Sequence, residues 1–237
     1  MFSDAGKKQL YAPDEKGGRE ICKNNLSRQV AEQIKNALFC GRLHAGQRVT
    51  ELGLAREYDI SQAPVREALQ ILISEGIIVQ KGRQGKFIAR PSPVEIKDSY
   101  FAGGVLEGAV VAAAIDRFGP AELAYLGGLA HEMQEAVARS DFGNLAGLDS
   151  TFHLYLFTMG GNMIVRDLWY RSCQIIGKYF YNRKWHEPAL TNKVVIRHRE
   201  IITAIETGRP ELIEQTIRAH YVSAGEILAA FAGENAD

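Results

Sequence analysis

Pro91-Ser92-Pro93 divides this chain into two stretches that cannot share one architecture. Beyond it, no alternation of apolar and polar residues runs long enough for a strand. Gly119-Pro120, Gly160-Gly161, Glu187-Pro188 and Gly208-Arg209-Pro210 part segments that read as helix. The expected helices are Val94–Phe118, Pro120–Ala138, Asp141–Met159, Met163–Lys184, Pro188–Thr207 and Pro210–Phe231. Residues 92–234 are therefore expected to form an all-α bundle joined to the first stretch by a short stiff linker.

The stretch before the linker alternates helix and turn signals. Residues 1–24 lack periodicity and read as a mobile tail. Leu26, Val30, Ile34 and Leu38 then make one stripe of a helix that ends near Gly41. A Gly-containing loop leads to a short helix around Glu51–Tyr58. Tyr58-Asp59-Ile60-Ser61 makes a turn, with Ser61 placed as N-cap and Pro64 in the first turn of the next helix. Val65, Ala68, Leu69 and Leu72 form its inner face, and it stops at Gly76. IIVQ and KFIAR read as two strands around Lys81–Gly85. Residues 25–91 thus predict a winged helix-turn-helix, and the whole chain a mostly α fold.

Charge supports a different partner for each half. Residues 1–90 hold 15 Lys+Arg against 10 Asp+Glu, which leaves 13 against 18 for the remainder of a chain of zero net charge. A basic front half suits an anionic partner. In the helix-turn-helix layout the second helix enters the major groove of duplex DNA by its N-terminal residues. Ser61 can donate or accept there, Gln62 can pair with adenine, and Arg66 can take a guanine or a phosphate. Lys81, Arg83 and Lys86 of the hairpin offer charge to phosphates or the minor groove, and Gly82 and Gly85 let backbone come close. A winged helix used only for protein contacts is the plainer alternative, against which the cationic hairpin argues.

The back half carries the chemistry. Asp149 and His153 lie four apart, so a helix brings both side chains out on one face. His198 and His220 stand at near-equal distances either side of the 208–210 break, which levels them across a helical hairpin. One carboxylate and three imidazoles suit a divalent transition metal, one ion per chain, with zinc foremost and nickel or manganese as alternatives. His44, His131 and His186 read as ordinary core or surface histidines. An uninterrupted Met163–Lys184 helix would set Arg171, Gln174 and Lys178 along one face. Arg171 and Gln174 are the effector-binding candidates on that face, and a merely solvated face is the alternative.

No apolar run reaches the eighteen or so residues of a membrane span. The polar N-terminus shows no secretory signal, and Cys22, Cys40 and Cys173 suit reduced thiols. The expectation is a soluble cytoplasmic protein without a membrane partner.

LSRQVAEQIKNALFCGRLHAGQRVTE, LAREYDISQAPVREALQILISEGII and KGRQGKFIARP resemble the DNA-binding domain of the GntR family of bacterial transcription regulators, over residues 26–90. LDSTFH, GNMIVRDL, HREIITAIETGRPE and IRAHY, within residues 94–231, resemble the FCD effector domain of the FadR subfamily. The resemblance implies a homodimer on an inverted-repeat DNA operator, responsive to a small organic acid. It also implies a metal held by Asp149, His153, His198 and His220, and no catalysis. A structural metal and a metal-dependent enzyme are the alternatives. Two departures stand out. Ser61-Gln62-Ala63-Pro64 replaces the usual Ser-Arg-Thr-Pro, so the family's usual operator is not expected. Gly103 stands where relatives often carry an Arg, four residues before the Glu of the Leu106-Glu107 pair.

Overall fold

The computed structural model describes residues 18–174 and 188–234. The side chains of Cys22, Cys173 and Gln174, and residues Lys178 and His186, lie outside the described residues. The first unit runs α1 (Gly18–Phe39), β1 (Arg48–Val49), α2 (Glu51–Glu57), α3 (Gln62–Ser74), β2 (Ile78–Gln80) and β3 (Lys86–Ile88). The helix α1 begins inside the span read as a structureless tail. An apolar stripe marks only the packed part of a helix, and a polar turn can precede it unannounced. Val30, Ile34 and Leu38 of α1 close over Val65, Ala68, Leu69 and Leu72 of α3, all buried. Ser27 bonds Glu67, and buried Lys35 pairs with Glu75 at 2.7 Å, so α1 and α3 are also pinned by polar contacts at two levels.

The wing has three strands, not two. β3 is central, with Val79 and Gln80 of β2 opposite Phe87 and Lys86, and Arg48 and Val49 of β1 on its other edge opposite the same two residues. Gly76 and Gly85 both have positive φ, at 76° and 110°, which glycine alone adopts without steric cost. The hairpin turn is itself a 3₁₀ turn, Gly82–Gln84.

Ser92 is less a linker than a cap. It accepts from the Glu95 N–H at 3.2 Å while Glu95 Oε2 accepts from the Ser92 N–H at 2.8 Å, and Pro93 opens the helix. The second unit comprises α4 (Pro93–Ala113), α5 (Pro120–Ala138), α6 (Phe142–Gly160), α7 (Met163–Trp169), α8 (Pro188–Glu206) and α9 (Pro210–Glu234). No strand occurs in it among the described residues. Asp141 and Asn162 cap α6 and α7 through the Asn144 and Val165 N–H groups. The core gathers Leu126 and Met133 of α5, Phe152 and Leu156 of α6, Trp169, Ile201 of α8, and Ile213 and Ile217 of α9, all fully buried.

Two departures from the expected helices bear on function. α7 stops at Trp169 and passes into a π turn, Tyr170–Gln174. The expected α-helix is thus interrupted at Tyr170, and the face expected to carry Arg171, Gln174 and Lys178 falls in part outside the described residues. Second, α4 and α9 meet through glycines. A Cβ on Gly104 would stand 2.9 Å from Tyr221 Cβ and 3.1 Å from Arg218 Cα. One on Gly225 would stand 2.8 Å from Tyr100 Cβ. The two backbones approach as only side-chain-free positions permit.

Candidate functional site

His153 on α6, His198 on α8 and His220 on α9 converge inside the second unit, with one ligand atom from each within 4.8 Å of the others. The 198–220 pairing follows from the hairpin between α8 and α9, where Gly208 takes φ 66°. Asp149 lies one turn before His153. Its Oδ1 is 3.3 Å from His198 Nε2 and 3.9 Å from His153 Nε2. All four residues expected as ligands are therefore brought together.

The hydrogen bonds decide which nitrogens face inward. His198 Nδ1 lies 2.9 Å from the Val194 carbonyl, which can only accept, so Nδ1 carries the proton. His198 Nε2 is then left aimed at Asp149 without a hydrogen-bond partner, and buried His220 Nδ1 has none either. Buried polar atoms are normally partnered. Two orphaned imidazole nitrogens in a cluster of three histidines beside a carboxylate have the chemistry of a cation site, and the donor set fits a divalent transition ion.

Behind His153 runs a buried polar chain. Glu107 of α4, wholly buried, accepts from His153 Nδ1 at 2.8 and 3.0 Å through its two oxygens. Tyr221 donates its hydroxyl to Glu107 at 2.6 Å, and Trp169 Nε1 donates to Tyr221 at 2.6 Å. A carboxylate behind a ligating imidazole fixes its tautomer and raises its basicity. Burial alone would push the His153 pKa down; the charge and hydrogen bond of Glu107, helped by Asp149, carry it above its usual value. Burial would raise the Asp149 pKa, yet the approach of His198 and the charge of His153 beside its carboxylate leave it lowered. His220 is pushed well down by burial and by the neighbouring His198, His153 and Arg197, so it stays a neutral donor. Asp149 and Glu107 thus place two acids among three imidazoles, an arrangement suited to a bound cation.

Glu107 and Tyr221 escaped the sequence reading as site residues. Glu107 stood out only as half of a Leu-Glu pair. The one local hint at Tyr221 is that it adjoins His220. The effector candidates fare differently: Arg171 is exposed in the π turn.

On the first unit, Ser61 sits at the N-cap position of α3 but makes no side-chain cap bond, so the helix does not occupy its hydroxyl. Gln62, Lys81 and Arg83 are exposed, and the Lys81 ammonium lies 5.4 Å from the centre of the Phe87 ring. Gly85 leaves room for the Arg48 guanidinium, whose Nε would be 3.2 Å from a Cβ there. Arg48 is a cation on the missed strand, unread because a two-residue strand has no period. Arg66 and Lys86, expected to reach for DNA, both touch Glu51, at 3.0 and 2.7 Å.

Residues 98–223 match the family model "FCD domain", and residues 26–88 match "Bacterial regulatory proteins, gntR family". An HTH-type transcriptional regulator in an unstable DNA locus of Streptomyces ambofaciens is 28% identical over 198 residues, 81% of this chain and 80% of that one. The HTH-type transcriptional repressor RspR of Escherichia coli K12 is 20% identical over 217 residues, 90% of this chain and 95% of that one. A GntR transcriptional regulator from Rhodococcus sp. RHA1 shares the fold with a TM-score of 0.70 at 23% identity, over 86% of this chain and 97% of that chain. E. coli McbR/YncC does so with a TM-score of 0.67 at 22% identity, over 90% and 99%. No described helix is long and apolar enough to cross a membrane.

Proposed function

The chain belongs to the FCD-domain regulators of the bacterial gntR family, and from that premise we propose that its grip on DNA is set by a small organic acid bound at a metal centre in the α-helical unit. It is a transcription regulator rather than an enzyme, as its domains and relatives are. The DNA is an inverted-repeat operator and the working form a homodimer, which engages both half-sites together. Asp149, His153, His198 and His220 would hold the ion, zinc first, with nickel or manganese as alternatives. When bound, such an ion supplies a Lewis-acid anchor for a carboxylate. The observation that carries this reading is the pair of orphaned buried nitrogens on His198 and His220, in the cluster where His198 Nε2 faces Asp149.

The chain's own residues would do the rest. Glu107 and the Val194 carbonyl orient His153 and His198. With Gly103 in place of a cation on α4, the second charge for the effector has to come from elsewhere, and Arg171 beside the core Trp169 is the candidate. Effector binding would then favour one arrangement of the bundle helices over another and change the spacing of the two α3 helices in the dimer.

Two measurements test this. In DNA binding, Arg66→Ala should lose about 1–3 kcal/mol on a specific duplex, because a bidentate base contact is worth that much. Replacing Arg83 and Lys81 should weaken all duplexes alike and flatten the salt dependence. Wild-type affinity of Arg66→Ala for the specific duplex would refute the assignment of α3 as the reading element. For the effector, a screen of small carboxylic acids should find one that raises the melting temperature of the metal-loaded protein and shifts its DNA affinity. His153→Ala should abolish that response while basal DNA binding survives. An acid response that persists without the metal would make the ion purely structural.

A further inference from the structure

We infer that Glu51 is a positioning residue for sequence discrimination, holding Arg66 of the recognition helix and Lys86 of the wing in one constellation. The inference rests on the DNA-binding reading above and concerns how that surface distinguishes one sequence from another.

The geometry is specific. Glu51 opens α2 directly after Thr50, whose hydroxyl caps the helix through the Gly53 N–H at 3.0 Å, so the carboxylate springs from a fixed backbone. Its two oxygens are divided: Oε2 takes Arg66 Nε at 3.0 Å and Oε1 takes Lys86 Nζ at 2.7 Å. Lys86 stands on the central strand, paired with Val49 on one side and Gln80 on the other. Arg66 projects from the outer face of α3, with 62% of its side chain exposed. One carboxylate therefore joins side chains of three elements: α2, the recognition helix α3 and the wing.

Neither stability nor raw affinity accounts for an acid in that place. An ion pair with an exposed arginine contributes little to folding. Toward a polyanion, a negative charge among Arg48, Arg66, Lys81, Arg83 and Lys86 is repulsive, so a neutral residue would bind phosphate backbone better. What the carboxylate does supply is direction. With Nε–H committed sideways to Glu51, Arg66 presents its two terminal amino groups end-on, the pair that can span guanine O6 and N7. Lys86 gives one donor to Glu51 and keeps two for a phosphate, which sets the wing in register with α3. The neighbouring acid on α3, Glu67, is engaged by Ser27 and takes no part.

The test uses the full chain and two duplexes of equal length: one recovered from a random library by the wild-type protein, the other of random sequence. Binding is followed by fluorescence anisotropy from about 50 to about 200 mM salt. Glu51→Ala should bind the random duplex roughly threefold more tightly, since a repulsive charge is gone. Its preference for the selected duplex should fall about tenfold, the value of one well-aimed base contact. Glu51→Gln, which keeps an acceptor for Arg66 without the charge, should fall between. In the Arg66→Ala background, removing Glu51 should leave the preference where Arg66→Ala put it. An unchanged preference in Glu51→Ala, or an equal loss on both duplexes, overturns the inference, and so does an additive loss in the double variant. If the wild-type protein selects no sequence at all, the DNA-binding reading itself fails.

Discussion

Replacing Glu107 with alanine is expected to destabilise the protein by about 3–5 kcal/mol and to weaken metal binding by about 10–100-fold. The carboxylate is wholly buried and accepts from both His153 and Tyr221. Its loss strands a buried imidazole N–H and a buried phenol at once, beside the cavity that the side chain leaves. At about 2–4 °C per kcal/mol for a chain of this size, the melting temperature should drop by roughly 6–20 °C. Glu107→Gln keeps the volume but gains an amide that must point a donor at one of two existing donors, so it should fail in the same direction by less. Urea unfolding of metal-free protein measures the first effect and metal titration the second. Loss of stability with wild-type metal affinity would make the Glu107–Tyr221–Trp169 chain a packing device only.

Chelation should destabilise the wild-type protein nearly as much. An ion present at about a hundred times its dissociation constant contributes about 2.7 kcal/mol to the folded state, so its removal should lower the melting temperature by roughly 5–10 °C. Protein purified without chelators should contain about one divalent ion per chain. His198→Ala should erase the difference between chelated and metal-loaded samples, because its Nε2 is one of the inward-facing nitrogens. Protein that stays empty after exposure to zinc, nickel and manganese, and melts alike with and without chelator, would reject the metal centre.

The convergence of Asp149, His153, His198 and His220 is legible in sequence because each of its two relations is local in form. Asp149 and His153 are related by one helical turn, and His198 and His220 by the symmetry of a hairpin about Gly208. The recognition helix was legible for the same reason: Ser61, Pro64 and the 65–72 stripe are all written within one element. Glu107 could not be read that way. It lies 46 residues from His153 and 114 from Tyr221, and only packing of α4 on α6 and α9 makes it part of the centre. Glu51, likewise, reads as an ordinary first-turn acid until α2, α3 and the wing are assembled around it. The π turn after Trp169 left no mark in the residue pattern, since its register change is one residue in a continuous helical stretch. The strand β1 left none either: two residues are too few to alternate.

The glycine seam between α4 and α9 has a mechanical consequence. Helices whose backbones nearly touch at Gly104 and Gly225 have no side-chain layer between them to shear, so the pair bends and tilts as one beam. Glu107, bonded to His153, ties that beam to the histidine cluster; the other end is the capped start at Ser92, immediately beyond the wing. The 14 residues from Glu107 back to Pro93 span about 21 Å of helix, so a tilt of about 5° at the centre would displace the wing's attachment by about 2 Å. In a two-fold dimer each wing would receive that displacement, in opposite directions. A protein built this way needs no large rearrangement around its ligand; the leverage is already in the length of the helix.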